Sequence, residues 1–311
     1  PHDGAEAATL MKRADTAMHQ AKKFGGRRYE FFSSHIAQAV EDRFLLERGL
    51  RQTLERGEVE VVYQPVVRLP EENVHAVEAL ARCRCLGEKG FSPAQFIPVA
   101  ETGLIQALGE QVLEKAAIQI VAWESEGWSL ERVAVNVSPV QLGSPSFPNQ
   151  VASVLHRTGL APERLELEIT EESLLRQEEV VRSVLEHLKE LGVRIALDDL
   201  GTGYSSPSYL RRLPIDRVKI DREFVRDIPS DTGNQTILRS LLELARGFDY
   251  PILAEGVETR AERDFLQDWG VQELQGFLYG VPVPPQWLSD NCRGLSAGSK
   301  NWGATKEAKD K

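Results

Sequence analysis

LELEITEESLLRQEEVVRSVLEHLKELGVRIALDD, residues 165–199, carries the pattern that decides the fold. It reads as a strand-like run at 165–169, a helical pattern at 172–191 and a second strand-like run at 194–197, closed by two aspartates. Strand, helix, strand is the repeating unit of a parallel α/β sheet. Further strand-like runs lie outward from it at 59–67, 74–80, 133–137, 216–220, 251–254 and 273–278. Helical patterns lie between most of them, at 93–126, 146–158, 202–212, 232–247 and 259–269. Eight strands with interleaved helices over about 230 residues predict a (β/α)8 barrel, with a doubly wound open sheet as the competitor on pattern alone. The connection at 69–73 is too short for a parallel crossover. The first two strands are therefore expected to be antiparallel, which makes a modified TIM barrel.

The ends differ from the barrel. Residues 5–23 form a helix pattern with Leu10, Ala14, Ala17, Met18 and Ala21 on one stripe, stopped by Gly25-Gly26. Tyr29, Phe31 and Phe32 read as a short strand. A second helix pattern at 36–56 ends at Gly57. Residues 296–311 are polar and aperiodic, and a flexible tail is expected there. The reading divides the chain into a helix–strand remnant (1–34), a linker helix opening the main domain (35–57), the barrel (58–290) and a tail (291–311).

Composition narrows the function. The 311 residues are 41% hydrophobic and 27% charged, ordinary for a globular protein. No apolar run is long enough for a transmembrane helix and no signal peptide stands at the start, so a cytoplasmic protein without membrane contact is expected. A net charge of -10 argues against binding nucleic acid polymers, which favours a basic face. Three cysteines, Cys83, Cys85 and Cys292, are too few for a disulfide framework and are read as reduced thiols.

Polar residues interrupt or close the strand-like runs one after another: Glu78, Asn136, Glu168, Asp198 with Asp199, Lys219, Glu255 with Glu258, and Gln275. In a barrel, C-terminal strand ends converge on one mouth, where chemistry sits. Singly, each could be a helix cap or a turn residue. Together they would crowd carboxylates with few bases, which is costly unless they are paired or bind metal. The set is oxygen-only, and the six histidines are read as lying in the tail, on loops or in helix patterns. That selects Mg²⁺ or Mn²⁺ over Zn²⁺. Five or six ligands suit two ions bridged by an aspartate, an arrangement fitted to in-line displacement at phosphorus.

These residues also resemble a known family. Glu78-Ala79-Leu80 with Ala81-Arg82 is similar to the signature of the EAL family of cyclic di-GMP phosphodiesterases. Tyr63-Gln64-Pro65, the segment from Ser92-Pro93 through Phe96-Ile97-Pro98 to Glu101-Thr102-Gly103-Leu104-Ile105, NVS (136–138), LELEITE (165–171), DDLGTGYSS (198–206), KID (219–221), EGVET (255–259) and QGF (275–277) follow the family in order and spacing. The resemblance covers about residues 44–285. Residues 5–32 (ADTAM at 14–18, Ala21-Lys22-Lys23, Gly26-Arg27, Tyr29) resemble the end of a GGDEF domain, which implies upstream GGDEF and sensor domains in a longer protein.

The resemblance implies hydrolysis of cyclic di-GMP to linear pGpG by a homodimeric enzyme with two Mg²⁺ or Mn²⁺ ions. It implies one metal site of Glu78, Asn136, Glu168 and Asp198, and a second of Asp198, Asp199 and Glu258. Glu255 is implied as general base or as partner of a metal-bound water, Lys219 as the residue that positions the attacking water, and Glu171 as the anchor of the loop after the aspartates. Gln64, Leu80, Arg82 and Gln275 are implied at the substrate. Degenerate members act as receptors and usually lack several of the acids, all of which this chain keeps. It departs from the family at Leu200 and Pro207, where Phe and Leu are usual, and at Cys83, where Trp is common.

Overall fold

In the computed structural model, residues 6–23, 29, 31–32, 34–83, 91–175, 178–202, 211 and 213–292 are described. They fall into two compact units. One takes the chain up to Glu58 together with Cys83–Leu104, and the other takes Val59–Arg82 and everything from Ile105 onward.

The first unit contains α1 (Ala7–Lys23), α2 (Ser34–Glu55) and α3 (Pro93–Ala100). Proline at the first position of α3 removes an N–H that no helical partner would take, and Ser92 N–H donates to Gln95 Oε1 at 2.9 Å. The stripe expected on α1 is only partly realised: Ala17 is buried, while Leu10 and Met18 are exposed. Tyr29, Phe31 and Phe32 form no strand, and Tyr29 and Phe31 stand exposed. β-propensity makes a strand only where a neighbouring backbone completes the ladder. Cys83 is disulfide-bonded and Cys292 is free and buried, which corrects the expectation of three reduced thiols. A count too low for a framework still permits one pairing.

The second unit is a closed barrel of β1 (Glu60–Arg68), β2 (Asn73–Arg82), β3 (Arg132–Asn136), β4 (Leu165–Thr170), β5 (Arg194–Leu200), β6 (Arg217–Ile220), β7 (Ile252–Ala254) and β8 (Glu273–Gln275). As the short 69–73 connection requires, β1 is antiparallel to β2, and it closes on β8 antiparallel as well; the other pairs are parallel. Around it lie α4 (Ile105–Ser125), α5 (Pro139–Leu142), α6 (Phe147–Thr158), α7 (Glu171–Leu175), α8 (Glu178–Glu190), α9 (Arg222–Val225), α10 (Thr232–Gly247), α11 (Arg260–Asp268) and α12 (Pro285–Cys292). The helix expected over 93–126 is two helices, α3 and α4. Gly103, at φ 148, interrupts the α-helical backbone between them. The strand expected to 278 ends at Gln275, because Leu278 N–H donates to the loop carbonyl of Val257 rather than to a strand. The expected tail and most of the helix at 202–212 lie outside the described residues. Among the described residues no helix is long and apolar enough to cross a membrane.

Apolar side chains such as Val66, Ala76 and Leu253 fill part of the barrel interior. Its lower end is polar and closed. Arg132 pairs with Glu166 (2.9 Å) and Glu273 (2.5 Å), and Arg217 pairs with the same two glutamates (3.0 and 2.6 Å). His75 Nε2 lies 3.1 Å from Glu273, which places this histidine on β2 in the network rather than in a loop. It points inward because Val66 and Val67 face Ala76 and Val74, leaving His75 as the extra residue of a bulge.

Candidate active site

The strand alternation that points Arg132, Glu166, Arg217 and Glu273 into the barrel at its lower end also points inward the residues two or four positions on: Asn136, Glu168, Lys219 and Gln275. These occupy the C-terminal end of the barrel, with Glu78 joining them from β2, which runs parallel to β3. Glu78, Glu168, Lys219 and Gln275 are buried and Asn136 is exposed at the mouth.

Lys219 is the hub. Its Nζ lies 2.5 Å from Glu255, 2.8 Å from Glu168 and 3.4 Å from Asp198. Glu78 is held by two amides, Asn136 Nδ2 donating to Oε1 and Gln275 Nε2 to Oε2, each at 2.6 Å. One cation thus faces four carboxylates. Burial and the neighbouring acids hold Glu168 well above the usual carboxylate range despite Lys219. Burial, with Asp198 and Glu78, lifts Glu255 to about 8. Burial works to raise Glu78 too, but Lys219 and the two amides hold it below its ordinary value. Lys219 is raised well above the normal lysine value, because the four acids outweigh burial.

The aspartate pair depends on a break in β5. Strict alternation would send Asp198 and Asp199 to opposite faces. Between Leu197 and Leu200 the register with β6 slips, and Asp199 adopts the left-handed region at φ 56. Asp199 then lies near Asp221, and burial with the charges of Asp198 and Asp221 lifts it to about 6. Asp221 also caps α9 through Glu223 N–H (2.7 Å). Asp221 closes the KID motif two residues after Lys219, a position at which an acid after a strand reads as a helix cap. Glu171 stands apart from the cluster. It is buried at the start of α7 and accepts the Gly201 N–H at 3.3 Å, which ties β4 to the loop after the aspartates. Leu200 is buried, and Pro207 lies outside the described residues.

Two cavities open beside the cluster. One, of about 380 Å³, is lined by Gln64, Glu78, Arg82, Glu255, Glu258 and Gln275, with Phe277 and Pro282 in addition to the residues expected. The other, of about 920 Å³, is lined by Asp199, Asp221, Arg222, Glu258 and the start of α11. Leu80, half-buried on β2, lines neither. Gln64 is held between Gly280 O and Gln275 Nε2 (3.1 and 3.2 Å), and burial lowers the Arg82 guanidinium against the pull of Glu78.

This donor set suits a hard divalent cation: carboxylate and amide oxygens, an excess of negative charge, and a buried amide oxygen, Gln275 Oε1, that accepts no hydrogen bond. Lys219, Asn136 and Gln275 hold the carboxylates, and among the described residues no three His, Cys, Asp or Glu side chains are already gathered around one point.

The EAL domain family matches residues 47–282. The bifunctional diguanylate cyclase/cyclic di-GMP phosphodiesterase MucR of Pseudomonas aeruginosa is 40% identical over 289 residues, 93% of this chain and 42% of that protein. The cyclic di-GMP phosphodiesterase NbdA of the same organism is 38% identical over 294 residues, 94% of this chain and 38% of that protein. The solved PaMucR phosphodiesterase, in a c-di-GMP complex, aligns with a TM-score of 0.74 at 41% identity, over 78% of this chain and 99% of the other. The chain spans less than half the length of these curated relatives.

Proposed function

This chain belongs to the EAL domain family, and from that premise we propose that it is a cyclic di-GMP phosphodiesterase, opening one 3′–5′ phosphodiester bond to release linear pGpG. The observation that carries the reading is the contact of one buried lysine with Glu168, Asp198 and Glu255 at the mouth of the barrel, beside a cavity lined by Gln64 and Arg82.

Arg82 meets a phosphate with the forked donors of its guanidinium, and Gln64 pairs with a guanine edge. Glu78, Asn136, Glu168 and Asp198 on one side, and Asp198, Asp199 and Glu258 on the other, would hold two Mg²⁺ or Mn²⁺ ions, whose chemistry there is Lewis-acid activation of water and neutralisation of phosphate charge. Glu255, 2.5 Å from the Lys219 ammonium, takes the proton of the attacking water. Lys219 orients that water and offsets the charge that develops. The water oxygen attacks phosphorus in line, the bond to the 3′ oxygen breaks, and the leaving 3′ oxygen takes a proton from solvent. Glu171 acts by holding the loop after β5. The proposal extends to a homodimer and to upstream GGDEF and sensor domains in the full protein.

Incubation with cyclic di-GMP and Mg²⁺ or Mn²⁺, with products resolved by chromatography, tests the reading. Appearance of pGpG supports it. Intact nucleotide bound at micromolar affinity moves the chain to the receptor class. Calcium, with longer bonds and looser geometry, is expected to support turnover poorly.

A further inference from the structure

Helix α4 carries a glycine in its first turns, where alanine would make the better helix. A Cβ at Gly109 would lie 2.0 Å from Nε2 and 2.8 Å from Cδ of Gln141. The Gln141 amide is thus seated directly on the α4 backbone, and a residue without a side chain is what leaves room for it. Gln141 is buried. Its Oε1 accepts the Ser138 N–H at 3.2 Å, and its own N–H donates to Ser138 Oγ at 3.3 Å. This reciprocal pair fixes the turn that opens α5. With four residues, α5 is too short to hold that turn by its own helical bonds, so the seat on α4 does.

The turn begins two residues after Asn136. Of the four residues expected at the first metal site, Glu78, Glu168 and Asp198 are buried, and Asn136 alone is exposed. It is the last residue of β3: Val137 N–H still donates to Glu168 O at 2.9 Å, and the chain then leaves the sheet. Asn136 Nδ2 donates to Glu78 Oε1 at 2.6 Å, so Oδ1 is the atom left to meet a cation. Packing holds the three acids in place. An amide at the exposed end of a strand keeps its direction only if the backbone on both sides of it is fixed. The ladder to β4 fixes one side, and the Ser138–Gln141 pair fixes the other.

We infer that Gln141, seated on Gly109, is the positioning residue that holds the Asn136 amide oxygen in place for a divalent cation. This rests on the function proposed above and deepens it, since a helix outside the ring of strands then supports the metal site.

Calorimetric titration of the nucleotide-free chain with Mn²⁺ tests it. Gly109→Ala and Gln141→Ala should each weaken Mn²⁺ binding by about 10-fold, as expected for groups that support a ligand. Asn136→Ala should weaken it at least as much, and adding either substitution to Asn136→Ala should bring no further loss, because both act through that amide. In a turnover assay of Gly109→Ala, the Mn²⁺ concentration for half-maximal rate should rise by the same factor, and kcat at saturating Mn²⁺ should return to the wild-type value. Gln141→Ala introduces no overlap, so the result does not depend on how α4 tolerates the added methyl. Unchanged Mn²⁺ binding in both single variants, whatever their melting points, makes the contact structural only and overturns the inference. So does a further loss on top of Asn136→Ala. In those cases the proposed function stands if the wild type releases pGpG. A wild type that neither binds Mn²⁺ nor hydrolyses cyclic di-GMP removes the proposed function, and this inference with it.

Discussion

The two ends of this barrel carry the same kinds of residue on the same strands. On β4, Glu166 faces the lower end and Glu168 the upper; on β6, Arg217 and Lys219 divide the same way; on β8, Glu273 and Gln275 do. At the lower end two arginines meet two glutamates, with His75 against Glu273. Glu273 sits far below the ordinary carboxylate range: burial opposes this, but the His75 hydrogen bond and the charges of Arg132 and Arg217 win. At the upper end one lysine meets four carboxylates, and Glu168 and Glu255 are pushed up. Burial is alike at the two ends and charge balance is not. A balanced buried network is a structural plug, and an unbalanced one is held ready for a ligand that brings positive charge.

The comparison can be broken by mutation. The largest effect is expected from Glu78→Ala, which should abolish cyclic di-GMP hydrolysis while leaving the thermal melting point unchanged or raised, since it removes one of four crowded acids. Retained turnover would show that the upper cluster is not the working end. Next, Arg132→Met should lower unfolding free energy by about 3–5 kcal/mol, because it leaves Glu166 and Glu273 buried and short of a partner. A denaturant titration measures this, and a change under about 1 kcal/mol would mean that the lower plug does not hold the barrel.

A matched pair sharpens the contrast. Glu166→Gln should cost about 2–3 kcal/mol, as charged hydrogen bonds to two arginines are weakened. Glu168→Gln, two residues on, should leave stability unchanged or increased and remove turnover. Equal destabilisation by the two would erase the distinction between the ends.

The smallest expected effect is in pH dependence. Glu273, with its folded value depressed, contributes stability that is present above the ordinary carboxylate range and lost as pH falls through and below it. Glu255, raised to about 8, contributes stability that is fully present below the ordinary carboxylate value and lost as pH climbs toward 8. In chelator, Glu273→Gln should flatten the acid limb of a melting-point profile and Glu255→Gln the limb between about 5 and 8. A single variant that flattens both limbs would contradict two separate networks.

Much of this was legible before any coordinates. The eight strand-like runs, the short 69–73 connection and the polar residues interrupting them specified an irregular barrel, and that topology alone brings Glu78, Asn136, Glu168, Lys219 and Gln275 to one mouth. Asp221 was passed over because an acid after a strand reads as a cap, and here it is both a cap and a neighbour of Asp199.

The sequence by itself determined which residues alternate inward along each strand, because side-chain direction has a period of two and the apolar pattern fixes the phase. Only the tertiary structure decided where that period fails. The bulges at His75 and at Asp198-Asp199 each insert a residue into a ladder, and they turn side chains inward that alternation would have sent out. It also decided which charges balance. Whether a buried glutamate is a plug or a ligand depends on how many cations lie within a few ångströms, and those come from strands 34 to 141 positions away at the lower end.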